Sequence, residues 1–131
     1  MPARISRQAA GLLVLGLAIA VGGCGRTRTA DLVAQSRSAD SADRARAAAA
    51  LGERPRDADQ AVPALIDLLR DEDAFVRRDA AIALGKLGPK AQPATLALTA
   101  AARDRNAHVR KAAAEALGKV DPAARSNVPA R

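Results

Sequence analysis

Residues Val76 to Gly85 read VRRDAAIALG, and Val109 to Gly118 read VRKAAAEALG. A looser copy, DRARAAAALG, runs from Asp43 to Gly52. Both steps are 33 residues and bring Arg44, Arg77 and Arg110 into register, then Ala47, Ala80 and Ala113, then Leu51, Leu84 and Leu117, and finally Gly52, Gly85 and Gly118. A fixed period of this length marks an array in which one supersecondary unit is stacked on its neighbours.

Outward from this decamer, each period reads as two helices. The clearest runs from Val62 to Gly88, VPALIDLLRDEDAFVRRDAAIALGKLG. Pro63 suits the first turn of a helix A, where its missing N–H costs nothing. Leu65, Ile66, Leu68 and Leu69 supply that helix's apolar stripe. Asp71-Glu72-Asp73 is a tight turn, with Asp73 as N-cap of helix B; Asp40 and Asn106 hold the same register position and cap equally well. Val76, Ala80, Ala81 and Leu84 are apolar at helical spacing, Gly85 and Gly88 are expected to end helix B, and Pro89 to block its resumption. The next unit repeats the plan from Thr95 to Arg103, through a cap at Asn106, to Leu117 and Pro122. A short first helix is expected over Asp31 to Arg37, because Leu32 aligns with Leu65 and Leu98.

The composition fits close helix packing. About half of the residues are hydrophobic, but there is one Phe and no Trp or Tyr, so the core is built from small aliphatic side chains. Of the 21 lysines and arginines, two, Arg4 and Arg7, fall in the first 23 residues, which hold no acid; the rest carries 19 basic against 14 acidic residues. That surplus is interleaved with acids, which suits solubility and an acidic protein partner better than nucleic acid. Without Trp or Tyr there is no platform on which to stack single-stranded bases.

The pattern Val62–Gly88 resembles a HEAT repeat, of the short kind named for phycobilisome lyase subunits. The resemblance covers the chain from about residue 30 onward. It implies an all-α fold, a short right-handed α-solenoid of about three HEAT-like helical hairpins with helix B lining one face. The units are about 31–61, which is degenerate, 62–94 and 95–127, with the start of an incomplete fourth at 128–131. Tetratricopeptide units are similar in length, but their aromatic positions are absent. The resemblance also implies a ladder between neighbouring units, in which an acid and an arginine six residues apart take part: Asp71 with Arg77, and Asp104 with Arg110. Ser38 stands where the first unit would have its acid, which leaves that unit's rung in question.

The N-terminus reads as an export signal. MPARISRQ carries two arginines, and the uncharged AAGLLVLGLAIAVGG follows it. Val21-Gly22-Gly23-Cys24 resembles the bacterial lipobox, although Gly22 departs from the usual Ala, Ser or Thr. This implies a lipoprotein signal peptide over 1–23, lipidation of Cys24, a tether over 24–30 and a place in the bacterial cell envelope, on the periplasmic side or outer membrane. Two or more acyl chains hold a domain on a membrane where one is marginal. The alternatives are an ordinary signal peptide or an uncleaved anchor, since Ala9 to Gly25 is uncharged and at the short limit of a membrane span.

No catalytic constellation is expected. His108 is the only histidine and falls in the first turn of a helix B; with no free cysteine beside it, neither a metal site nor a nucleophilic triad can be assembled. No Gly-rich phosphate loop is present. No cofactor and no metal are therefore expected, and the chain reads as a non-enzyme. The candidate contact surface is a helix-B stripe beside the repeated residues: Arg78, Ile82 and Lys86, with Lys111, Glu115 and Lys119 one period on. The functional expectation is a membrane-tethered, non-catalytic scaffold or adaptor that docks a protein. The alternative is an accessory subunit of an enzyme such as a lyase-type chromophore-transfer complex. At the C-terminus, Val128-Pro129-Ala130 restarts the pattern of Val62-Pro63-Ala64. Three outcomes are open for that end: an Ala-rich face that tolerates exposure, self-association, or continuation into a longer array.

Overall fold

The structure, a computed structural model, describes residues 26–126 and residue 128. The leader, Cys24 and most of the fourth-unit segment 128–131 lie outside the described residues. Among the described residues seven α-helices follow in order: α1 Thr29–Gln35, α2 Ser41–Gly52, α3 Ala58–Leu68, α4 Ala74–Leu87, α5 Thr95–Ala101, α6 Ala107–Val120 and α7 Pro122–Arg125. Two 3-10 segments, Pro55–Asp57 and Gly88–Ala94, join one hairpin to the next. No strand occurs among the described residues. The hairpins α1–α2, α3–α4 and α5–α6 stack so that α2, α4 and α6 form one row, with α4 packed against both of its equivalents.

Each second helix starts where its cap dictates. The side chain of Asp40 accepts from the Ala42 N–H and that of Asp73 from the Phe75 N–H. Asn106 accepts from the N–H groups of His108 and Val109. Each such cap stabilises its helix by about 1 kcal/mol. The core is a run of leucines, one from each of α2 to α6: Leu51, Leu65, Leu84, Leu98 and Leu117 are fully buried, with Val76 and Val109 beside them. Fully burying a leucine contributes roughly 1.5–3 kcal/mol. Alanines fill the remaining interior, Ala47, Ala48, Ala80 and Ala113 among them.

Several expectations are corrected. Gly85 does not end a helix: α4 continues to Leu87, and the terminator is Gly88, whose φ of 61° suits glycine. Gly118 likewise lies inside α6. The repeated glycines instead mark where helices touch. A Cβ on Gly52 would sit 2.8 Å from the Ala83 Cα and Cβ, and one on Gly85 would sit 3.2 Å from the Ala116 Cα. Helices approach this closely only where one of them lacks a side chain. Pro63 is in the interior of α3 rather than its first turn. Buried Ala61 and Val62 extend the helix upstream of it, and exposed Pro63 forfeits its backbone bond on the solvent side. The first helix begins two residues earlier than expected, so Thr29 and Ala30 belong to it and not to the tether. Asp31 accepts the Arg28 N–H, and buried Thr29 donates to Asp57.

Candidate functional site

The three arginines in register build an internal lattice. Arg77 Nη1 donates to the main-chain oxygens of Asp71 (2.8 Å) and Glu72 (3.1 Å), in the turn of its own hairpin. Its Nε and Nη2 reach forward to the Asp104 carboxylate of the next hairpin, at 2.8 and 3.0 Å. Arg44 does the same, with Nη1 on the Ser38 and Ala39 oxygens and its fork on Asp71 at 2.7 and 3.0 Å. The rungs therefore run forward. Each acid is held by the arginine of the preceding unit, 27 residues back, and gives only its main-chain oxygen to the arginine six residues ahead. This corrects the doubt about the first unit: Arg44 has its rung, and Ser38 stands at a position whose arginine would come from an earlier period. Arg44 is 9% exposed and Arg77 6%, so both pairs are shielded from water. Burial by itself would raise the Asp71 carboxyl, but the bonds from Arg44 and from the Asp73 N–H outweigh it and hold Asp71 below the ordinary carboxylate range. The Arg77 fork and the Asn106 N–H do the same for Asp104 against the same opposing burial. Arg110 is different. Its Nη1 donates to the Asp104 and Arg105 oxygens, and among the described residues no carboxylate meets its fork.

The helix-B stripe turns out less basic than its composition. Arg78 donates through Nε and Nη2 to Asp79, at 3.0 and 2.9 Å. Its guanidinium lies 5.3 Å from the centre of the Phe75 ring. Lys86 pairs with Glu53, its register neighbour one unit back. Both cations of the middle unit are thus engaged, and Lys111 and Lys119 on α6, with Glu115 between them, carry the exposed charge. Ile82 is 43% exposed and borders a groove of about 120 Å³ with Ala49, Asp79, Ala83 and Lys86. Phe75, 67% exposed, belongs to the same face and escaped the sequence reading. Its register partners are His108 and Ala42, so no repeated pattern marks it; only its being the sole aromatic could have done so.

Two other surfaces went unread. Clefts of about 470 and 350 Å³ flank the 3-10 turn at Pro55–Asp57 and share Arg26, Arg54 and Asp57. On the first-helix row, Leu96 is 85% exposed beside a cleft of about 250 Å³ that reaches Leu69, Arg70 and Ala100. Among the described residues every buried side-chain nitrogen and oxygen is hydrogen-bonded, so none is left aimed into a cavity. No helix of the described residues is long and apolar enough to cross a membrane.

Comparison with curated proteins finds no match. Among solved structures, the complex of CpcE and CpcF of phycocyanin lyase from Nostoc sp. PCC7120 contains a chain with the same architecture. The TM-score is 0.68 at 33% sequence identity, over 78% of this chain. The matched region spans only 41% of that chain's length. The family model for HEAT repeats matches residues 29–118, from the first described helix to the glycine of the third decamer. The stacked hairpins, the 33-residue register and that match agree: the chain belongs to the HEAT-repeat family.

Proposed function

We propose that the chain is a non-catalytic protein-docking module, held at a bacterial membrane by lipid on Cys24, that receives an acidic protein surface on its helix-B row. The observation that carries this reading is the make-up of that row. It joins exposed apolar side chains, Phe75 and Ile82, to the exposed cations Lys111 and Lys119. An apolar centre edged by charge is how protein interfaces combine affinity with orientation. The engaged pairs Arg78–Asp79 and Lys86–Glu53 fix the shape of the row and leave its net charge to α6.

The test is a quantitative pull-down from detergent extracts, comparing the parent with a Lys111→Glu, Lys119→Glu double variant and with Ile82→Asp. The expected result is loss of the same partner in both. An unchanged partner set refutes the role of this row. Mass measurement of the protein from membrane fractions addresses the anchor: an acylated Cys24 at the new N-terminus supports it, and an intact N-terminus with an unmodified thiol refutes it.

A second reading, an accessory subunit of a lyase-type complex, is favoured by the likeness to a chain of the phycocyanin lyase complex. A chromophore-transfer assay with the purified chain, alone and with a co-purified partner, separates the two. Transfer that depends on this chain establishes the second reading.

A further inference from the structure

The 33-residue register allows the first helices of the hairpins to be compared position by position. Ala30 on α1, Pro63 on α3 and Leu96 on α5 share one exposed position; Ala34, Asp67 and Ala100 share the next, one turn on. Only α5 places a large apolar side chain there, and Leu96 is 85% exposed. Between α3 and α5 lies the cleft of about 250 Å³, whose apolar lining is Leu69 from the end of α3 with Leu96 and the alanines of α5. The preceding unit carries Pro63 and Asp67 where this cleft has Leu96 and Ala100.

Two charged residues complete the lining, Arg70 and Asp104, and they are not equivalent. Asp104 is held by the Arg77 fork at 2.8 and 3.0 Å, so its charge is matched from within the stack. Arg70 is exposed, and among the described residues no carboxylate comes within ion-pair distance of it. Its main-chain N–H closes the last turn of α3 on the Asp67 oxygen. The end of a helix favours a cation, which accounts for an arginine there but gives its guanidinium no partner. The cleft is thus apolar with one unmatched positive charge at its rim. At about 250 Å³ it is smaller than the roughly 300–1,000 Å³ of cofactor and drug-sized ligand sites, and suits one or two side chains of a macromolecule.

This chain is poorly equipped to fill the cleft itself. Residues 1–25, 127 and 129–131 contain no Asp or Glu, so none of them brings a carboxylate side chain to Arg70. The other exposed large apolar side chains of the described residues are Phe75 and Ile82, and the acids near them are engaged. Asp73 accepts the Phe75 N–H, Glu72 lies 3.8 Å from Arg44, and Asp79 accepts from Arg78. A second copy therefore has no apolar side chain with an uncommitted acid beside it. Membrane binding draws on a broad apolar face or on many basic residues, and the cleft supplies one leucine and one arginine.

We infer that the cleft between α3 and α5 docks a segment of another protein in which a large apolar side chain stands next to an aspartate or glutamate. The apolar side chain packs on Leu69, Leu96 and Ala100, and the carboxylate accepts from the Arg70 guanidinium, where an arginine fork is well matched to a carboxylate. Charge complementarity identifies this occupant. The cleft is on the first-helix row, and the inference does not rest on the reading of the second-helix row around Phe75 and Ile82.

Two measurements test it. In the first, a photo-crosslinking residue replaces Ala100 in the full chain in its native cells, and the crosslinked peptide is sequenced. The expected product is a segment of another protein with an acid beside a large apolar residue, in a yield that falls severalfold in Arg70→Gln and in Leu96→Ser. Crosslinking to a second copy, to lipid, to the chain's own undescribed residues, to an acid-free segment or to nothing overturns the inference, as does a yield indifferent to Arg70→Gln. In the second, a synthetic peptide of the captured segment is titrated into the purified full chain. Changing its acid to the amide is expected to weaken binding about tenfold or more with Arg70 present, and to matter little in Arg70→Gln. Losses that simply add in the double change overturn the pairing. Arg70→Gln is expected to melt with the parent, so that lost binding is not lost folding.

Discussion

Gly52, Gly85 and Gly118 occupy one register position, and the same substitution to alanine should have three different outcomes. Inside a helix, alanine is favoured over glycine by roughly 0.5–1 kcal/mol. Against this stands overpacking, which costs typically about 1–3 kcal/mol when atoms are forced into a filled interior. At Gly52 the new Cβ would lie 2.8 Å from both the Cα and the Cβ of Ala83, so backbone has to move. Gly52 is also the last residue of its helix, where the propensity gain is smallest. A net loss of about 1–2 kcal/mol follows. For a domain of this size that is a fall in Tm of roughly 5–15 °C. At Gly85 the contacts are 3.2 and 3.3 Å, both to Ala116, and the two effects should nearly cancel. At Gly118 the close neighbours are the Nη1 and Cδ of Arg125, a side chain that can swing away. Gly118→Ala should therefore stabilise by about 0.5–1 kcal/mol. Thermal melts followed by circular dichroism give the order: Gly118→Ala highest, Gly85→Ala beside the parent, Gly52→Ala lowest. If Gly52→Ala melts at or above the parent, or if all three shift alike, the close-approach account of these glycines fails.

The rungs make further predictions. Asp104→Asn leaves Arg77 buried without its counter-charge and should cost about 3–5 kcal/mol, while the double change Arg77→Met with Asp104→Leu should recover most of that loss; chemical denaturation of the three variants checks it. Arg110→Gln removes no carboxylate pair found among the described residues and should cost no more than about 1 kcal/mol by the same measurement. Asp71 and Asp104 are held below the ordinary carboxylate range in the folded chain. Their contribution is therefore complete above the unfolded value of about 3.9 and is lost as pH falls through the lower folded values, so Tm should be level near neutrality and drop in acid, with a shallower drop in Asp104→Asn. Asn106→Ala should destabilise by about 1 kcal/mol, read as a Tm shift, because two N–H groups of α6 lose their acceptor.

The sequence is most legible where one physical requirement recurs in every unit. The period, the helix pairs and the caps at Asp40, Asp73 and Asn106 could all be read from it, because register multiplies a weak local signal by three. It misleads where two requirements select the same residue. A glycine near the end of a helical pattern serves equally as a terminator or as a point of close approach, and only the neighbouring helix, 31 residues on at Ala83 or Ala116, decides between them. The direction of the rungs is hidden for a related reason. An acid six residues before an arginine in one unit is automatically 27 residues after the arginine of the unit before, so both pairings satisfy the spacing. The contact row was only half legible. Arg78 and Lys86 count as free cations in the sequence, yet Asp79 and Glu53 engage them in the fold.

The first unit's departures from the pattern carry directional information. Its residues that face the second hairpin keep the pattern: Arg44, Ala48 and Gly52 are the same as Arg77, Ala81 and Gly85. Its residues on the opposite side abandon it: Ser38 for the rung acid, Asp43 for Val76, Arg54 for Leu87. A unit drifting without constraint would lose both sides alike. Only the side that has no described hairpin against it is lost, and the apolar residues there give way to Asp43, which pairs with Arg46, and Arg54, which donates to Thr29. The third unit holds the reverse arrangement. It keeps Arg110 and Gly118 on the side where no further hairpin is described, and retains there an arginine fork and a small-residue seat whose counterparts in the other two units are occupied. The outer side of the first described hairpin is thus polar, and that of the third keeps the residues of an interior one. Single changes at Arg110, which holds only main-chain oxygens among the described residues, should therefore cost far less stability than single changes at Arg44 or Arg77, each forked onto a carboxylate.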